Sequence, residues 1–460
     1  MIVTGLLLGI ALGAVMQRGR FCVTGMLRDI FTLNSWRGIV ALLVVISVHA
    51  VGIAGLTAAG VITPKVDDFA PAAVIVGSVL FGVGIVLAGG CASGTWYRSG
   101  EGLVGSWLAL TAYGLSAAAM KRGVLQPLND FLGDRTVNLR TLPETFGISP
   151  WWFALGLSAF TIYAVNYFLQ RDALRGPVAK LDEPLWRRPL HLYTAGALVG
   201  ILGVIAWPLS AASGRNSGLG ITTPSADVFS YLVTANTKYL NWGTLLVLGI
   251  LVGSFIAAKA SGEFRVRLPD ATQAVRSVAG GTLMGVGAAW AGGCTVGNGM
   301  VQTSLFSYQG WVALAFTAVG VGIAAKIWLK PTQDTAIVST SVVAASGVDK
   351  QQAPYAQQSE SQPSFAVAPI ALKVRTEQQQ GLRQIAERTY ALDTLGAVCP
   401  FPLVDARAAM ENLAKGDSLV IDFDCTQATE TIPQWAATEG YTVSDFRRQG
   451  DAGWQITVQK

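Results

Sequence analysis

Long stretches of this chain carry apolar residues at nearly every position and no charge. Residues 71–97 contain no Asp, Glu, Lys or Arg, and neither do residues 277–325. About 20 such residues suffice to cross a bilayer as a helix. The pattern predicts nine spans, at about 1–16, 38–60, 71–89, 103–120, 150–169, 191–212, 241–258, 275–292 and 311–329. The first reads as a span and not as a secretory leader, because Arg18 and Arg20 follow the apolar run instead of preceding it. After residue 330 the pattern changes. Residues 331–388 are polar, low in complexity and Pro-containing, as in 351–354 and 357–364, which predicts a flexible linker with a short helix around 377–388. From 389 onward the apolar positions fall at strand and helix spacings. Strands are predicted at 390–395, 419–423, 441–446 and 454–458, with helices at 403–413 and 432–438. The expected fold is an α-helical polytopic membrane protein of about nine spans, followed by a small C-terminal α/β two-layer sandwich in the order βαβαββ.

Composition agrees. The 460 residues are 51% hydrophobic and 13% charged, where soluble domains carry roughly 25% charge. Residues 1–330 have a net charge of +10, 331–388 are neutral, and 389–460 carry −5. The basic excess lies in loops between spans, so it argues for membrane orientation and not for nucleic-acid binding. One set of loops holds fourteen Lys and Arg, including Arg18, Arg20, Arg98, Arg265 and Arg267, and the other holds seven. Cytoplasmic loops collect positive charge. The expected N-terminus is therefore outside and the C-terminal domain inside.

The candidate chemistry is in a repeat. Ala88-Gly89-Gly90-Cys91 recurs 203 residues later as Ala291-Gly292-Gly293-Cys294, with Gly82-Val83-Gly84 matching Gly285-Val286-Gly287 upstream and Gly94 matching Gly297 downstream. A fainter echo sets Gly19-Arg20 and Gly25 against Gly214-Arg215 and Gly220, with Ser217 opposite Cys22. The matched spans run in opposite directions in the charge-based topology, which predicts an inverted repeat with a site near the midplane. Non-helical backbone at membrane depth is tolerated where it lines a cavity. Helix starts after such loops aim N–H groups at an anion. Cys22, Cys91 and Cys294 are candidate binding thiols, Gly90 and Gly293 let backbone approach the ligand, and Ser93 and Thr295 are secondary oxygen partners. Packing is the plain alternative for each thiol, since free Cys is a common buried residue. No metal site and no cofactor is expected: two His and seven Met give poor support for a soft-metal set. Asp29, Arg98 and Glu101 lie at span ends, where single charges anchor helices.

Cys399 follows a predicted strand and opens a helix in Cys399-Pro400-Phe401-Pro402. A helix N-terminus favours the thiolate, so an exposed, nucleophilic sulfur able to carry a persulfide or attack an S–S bond is expected. Arg407, two turns on, and Cys425 are secondary candidates. The five cysteines are far apart and odd in number, so a disulfide framework is not expected.

Gly-Arg-Phe-Cys22 and the two Ala-Gly-Gly-Cys turns resemble the bacterial YeeE/YedE thiosulfate-uptake permeases. Val398-Cys399-Pro400-Phe401-Pro402-Leu403 and Asp424-Cys425-Thr426-Gln427-Ala428-Thr429 resemble the YeeD branch of the SirA/TusA-type sulfur carriers. The resemblance covers 1–330 and 389–460. It implies a multi-pass protein of the bacterial cytoplasmic membrane that takes up thiosulfate, with functional cysteines at Cys22, Cys91 and Cys294. It also implies a catalytic Cys399 that cleaves thiosulfate or passes on sulfur. Lys is expected at 407 in that branch and Arg stands here, which keeps the positive charge but speaks against a proton-transfer role, because Arg does not deprotonate. Implied partners are thiosulfate, lipid, and downstream sulfurtransferases or cysteine-synthesis enzymes. Two other readings stay open from the residues alone. One is a membrane-tethered sulfurtransferase, or persulfide or selenium carrier, that does not move thiosulfate. The other is a soft-metal permease.

Overall fold

The computed structural model describes residues 2–174, 178–184, 186–330, 382–397, 399–450 and 453–460. Each of the nine apolar runs is a helix, and short helices that the sequence pattern missed follow the cysteine-bearing turns. The first half comprises α1 (Val3–Arg18), α2 (Val23–Leu33), α3 (Arg37–Ala58), α4 (Pro71–Leu87), α5 (Ala92–Gly100) and α6 (Val104–Arg122). A connecting segment holds α7 (Gln126–Gly133), α8 (Leu142–Phe146) and α9 (Pro150–Leu174). The second half comprises α10 (Leu192–Ala211), α11 (Thr222–Thr234), α12 (Trp242–Ser261), α13 (Ala271–Trp290), a π-helical turn (Gly297–Gln302) and α14 (Tyr308–Trp328). Each half thus repeats one order: long, short, long, long, short, long.

Among the described residues, seven spans are long and apolar enough to cross a membrane, fewer than the nine expected. Two of the seven join a long helix to the short helix after it, Val3–Leu33 and Pro71–Gly100. The two expected runs outside the seven are α6 and α13. They pack on each other closely enough that a methyl on Gly281 would lie 2.3 Å from the Ala109 carbonyl oxygen. Small and polar residues suit such a buried contact and lower the hydropathy of both helices.

Packing between the halves is reciprocal. α1 packs on α12 as α10 packs on α3, and α4 packs on α14 as α13 packs on α6. Glycine permits the closest of these approaches. A methyl on Gly9 would lie 2.1 Å from the Leu246 carbonyl oxygen, so α1 and α12 meet backbone to backbone.

The C-terminal domain is a five-stranded sheet with two helices. Its strands are β1 (Arg383–Ala386), β2 (Thr389–Thr394), β3 (Ser418–Phe423), β4 (Thr442–Gln449) and β5 (Gly453–Gln459), in the order β1-β2-β3-β5-β4. β2 and β3 are parallel, and the other neighbours are antiparallel. Helices α15 (Phe401–Glu411) and α16 (Ala428–Glu439) cover the sheet. Leu419, Ile421 and Phe423 alternate into the core, as the period-two pattern requires. The helix expected around 377–388 is corrected in its described part, where residues 383–386 form β1 paired with β2. The rest of that segment and most of the expected linker, 331–381, lie outside the described residues.

Candidate functional site

The two Ala-Gly-Gly-Cys stretches adopt the same turn. Ala88 caps α4 and Ala291 caps α13, and the next residues, Gly89 and Gly292, take φ of +70° and +72°. That left-handed conformation costs a side-chain-bearing residue roughly 1–2 kcal/mol and is the usual glycine exit from a helix. The conformational demand therefore falls on Gly89 and Gly292, one position before the expected Gly90 and Gly293. Gly90 has ordinary room around it, and a methyl on Gly293 would press on Asn298 Oδ1 at 2.9 Å. Cys91 and Cys22 then stand in extended backbone at the N-caps of α5 and α2; a helix start was expected after Cys91, and the one after Cys22 was not.

Cys22, Cys91 and Cys294 are all free and buried. The Cys22 and Cys91 thiols face the same stretch of backbone. Both approach the backbone at Gly94, where an added methyl would lie 3.3 Å from Cys22 Sγ and 3.4 Å from Cys91 Sγ. Ser93 Oγ is 3.5 Å from Cys91 Sγ, and the Thr295 hydroxyl, beside Cys294, is buried without a hydrogen-bond partner. Each turn starts against the paired helix of the other half: a methyl on Gly280 would lie 2.4 Å from Ala88 N, and one on Gly77 2.5 Å from Ala291 N. Cys294 lines its own small cavity of about 10 Å3, with Ser78, Thr295, Asn298 and Thr317 and no charged residue. Asn298 stabilises that turn, donating from Nδ2 to the Ala291 and Gly293 carbonyls at 2.7 and 3.2 Å. Ser217 is half-buried on a loop before α11.

The C-terminal domain docks on the face that carries Arg18, Arg20, Arg98 and Arg267, the loops with the larger basic count. Arg98 donates to the Gly89 carbonyl of the Cys91 turn, and its Nη2 donates to Gln427 Oε1 at 2.7 Å. Gln427 Nε2 reaches the Arg20 carbonyl at 3.5 Å. The Arg20 guanidinium bonds Thr429 of the docked domain and pairs with Glu263 at 3.0 Å. Arg267 faces Asp424 at 3.7 Å. Arg448 bonds the Gly262 carbonyl and pairs with Glu183 at 3.4 Å. Leu33 and Leu181 add apolar contact to the carrier core. Burial, reinforced by the Glu263 carboxylate, pushes the Glu101 carboxyl up to about 7.

Between the two bodies lies a narrow chamber of about 40 Å3, partly open to solvent. From the membrane side it is lined by Ala88, Arg98, Glu101 and Arg267, and from the docked domain by Cys399, Asp424, Cys425 and Gln427. Cys399 thus faces the underside of the Cys91 turn. It is 7% exposed, where the sequence suggested an open surface, because docking covers it.

Cys399 and Cys425 form a disulfide with Cα atoms 6.2 Å apart, which corrects the expectation of no disulfide. The reason is topological. β2 and β3 are parallel with Thr394 opposite Phe423, so the loops leaving them run side by side and bring cysteines 26 residues apart into contact. Arg407 is corrected too. It does not line this chamber, and its Nη1 donates to the Thr32 carbonyl at 2.6 Å, so it fastens the domain to α2. Sequence reading missed Arg20, Arg267 and Gln427 and set Arg98 aside as an anchor. Their roles depend on contacts between distant segments, although the Gly-Arg-x-Cys and Cys-Thr-Gln strings contain two of them.

The fold and site define a helical membrane protein with paired cysteine turns and a docked sulfur-carrier domain. Residues 18–323 match the family described as sulphur transport, and residues 390–460 match sulfurtransferase TusA. The chain belongs to the sulphur transport family and carries a TusA-family domain at its C-terminal end. It is 46% identical over 336 residues to the thiosulfate transporter TsuA of Escherichia coli, covering 72% of this chain and 94% of that protein. It is 32% identical over 335 residues to the thiosulfate transporter TsuA of Spirochaeta thermophila, covering 70% and 97%. The C-terminal part is 61% identical over 69 residues to TsuB of Escherichia coli, covering 15% of this chain and 92% of that protein.

Proposed function

We propose that this protein carries thiosulfate inward across the bacterial cytoplasmic membrane and hands it to its own carrier domain. The N-terminus lies outside and the docked domain inside. The ion passes Cys294, then Cys91 and Cys22, by transient contact between its terminal sulfur and the thiols, while backbone N–H groups, Ser93 and Thr295 meet its oxygens. No covalent bond forms on the path, and binding stays weak enough to release. The two halves form an inverted repeat, a reading supported by their reciprocal packing and the charge asymmetry of the loops. The observation that carries the proposal is the shared chamber, with Arg98 of the Cys91 helix and Cys399 of the carrier on its wall.

Delivery ends in a sulfur transfer at Cys399. The disulfide with Cys425 is first opened by two electrons from a cellular thiol reductant. The Cys399 thiolate then attacks the terminal sulfur of thiosulfate. Its S–S bond breaks, sulfite departs with the bonding pair, and a persulfide remains on Cys399. Downstream sulfurtransferases or cysteine-synthesis enzymes use the products. Consumption at the exit holds the internal thiosulfate concentration down and draws uptake forward.

Growth on thiosulfate as sole sulfur source, in a strain without other uptake, tests the path. Cys91→Ala and Cys294→Ala are expected to abolish growth; wild-type growth of both overturns the path. Mass spectrometry of the reduced protein after thiosulfate exposure is expected to find one added sulfur on Cys399.

A further inference from the structure

We infer that the interdomain chamber contains an oxyanion-binding site built on Arg267, which holds the sulfonate end of thiosulfate while its terminal sulfur faces Cys399. The site deepens the hand-over reading above and rests on it. Arg267 is fixed by backbone pairing: its N–H donates to the Gly102 carbonyl at 3.0 Å, and its carbonyl accepts from Val104 N at 3.0 Å. Its side chain is 11% exposed and lines the chamber with Arg98, Cys399 and Cys425.

Two of its guanidinium nitrogens, Nε and Nη2, are buried without any hydrogen-bond partner. The nearest carboxylate, Asp424, is 3.7 Å away, beyond hydrogen-bond reach. Buried donors left unmade are costly, more so when charged. Such an arrangement persists where a ligand completes it. The unfilled pair of N–H groups is the fork that binds a tetrahedral oxyanion through two parallel bonds. Arg98 adds a second positive charge on the same wall, although Gly89 and Gln427 already occupy two of its nitrogens. Of the two carboxyls on the wall, Glu101 is pushed up to about 7 by burial, so it is only about half ionised near neutral pH.

The chemistry fits this end of the ion. Sulfite is the leaving group when Cys399 takes the terminal sulfur, and the charge that grows on its oxygens is stabilised by preorganised donors. Arg267 is then a positioning and leaving-group residue for Cys399.

The test uses the reduced full-length protein in detergent and sodium sulfate as probe, a non-nucleophilic oxyanion of the same shape, against sodium chloride at equal ionic strength. Alkylation of Cys399 by iodoacetamide is followed by peptide mass spectrometry. Sulfate is expected to slow it about threefold, saturably, in the wild type. Arg267→Gln is expected to remove the protection, and Arg267→Lys to keep a weaker part of it. Asp424→Asn breaks the same ion pair without removing the donors, and is expected to keep full protection. Absence of protection in the wild type overturns the site, as does equal protection in Arg267→Gln. Equal loss in Asp424→Asn and Arg267→Gln also overturns it, since the effect is then docking. If protection follows Arg267 while thiosulfate leaves no sulfur on Cys399, the site stands and the hand-over reading fails.

Discussion

The turn at Cys91 and the turn at Cys294 share four residues and one backbone conformation, yet are held differently. Asn298, with help from Gln309 Nε2 at 3.2 Å, satisfies the Ala291 carbonyl. Arg98 satisfies the Gly89 carbonyl and reaches across to Gln427. Neutral amides support one turn and a guanidinium supports the other. After Cys91 the chain runs into a regular α-helix, and after Cys294 into a π-helical turn, a distortion frequent at functional sites. The difference teaches how one repeated element can serve two ends of a path. On the proposed path the uncharged end would admit an anion without trapping it, and the charged end would attract it toward the docked domain.

The largest test asks whether the turns are equivalent at all. Gly89→Val and Gly292→Val place a β-branched side chain at positive φ, and both are expected to abolish thiosulfate uptake by proteoliposomes, through misfolding or closure of the turn. If only one variant does so, the two turns do not share a role.

A second test concerns pH. Glu101 lies on the charged side, and its carboxyl is raised from its ordinary 4.5 to about 7 by burial first and Glu263 second. Such a group favours the protonated folded state. Its stabilising contribution is complete below pH 4.5, falls as the pH rises, and is gone above about 7. The difference in unfolding free energy between wild type and Glu101→Gln, followed from pH 4.5 to pH 8, is expected to change by up to about 3 kcal/mol. A flat difference curve contradicts the burial argument.

Smaller effects separate the two supports. Arg98→Gln is expected to cut uptake about tenfold by removing a charge-assisted contact at the exit. Asn298→Ala removes neutral hydrogen bonds and is expected to cut it about threefold. Initial rates of labelled thiosulfate entry measure both. Equal losses mean that charge does not distinguish the ends.

Much of this was legible beforehand. The nine apolar runs, the paired turns and four of the five strands follow from local periodicity and glycine placement. Gly440, the expected stop of the last helix, has φ +78° and caps α16. The short helices α2 and α5 were hidden because their C-terminal halves carry Arg28, Asp29 and Arg98, which break the apolar pattern. Strand β1 was hidden because four exposed residues give no alternation to read.

The sequence by itself determined that the protein crosses the membrane, that two glycine-cysteine turns repeat, and that a small α/β unit follows. These are properties of neighbours along the chain, since a hydrophobic run or a left-handed glycine imposes its conformation locally. Tertiary structure alone decided the rest. It joined Cys399 to Cys425 through two parallel strands, turned Arg407 from a site residue into a docking contact, and set Arg267 with open donors opposite Cys399. Those outcomes depend on which distant segments share a volume, and burial, unlike periodicity, belongs to the whole assembled chain.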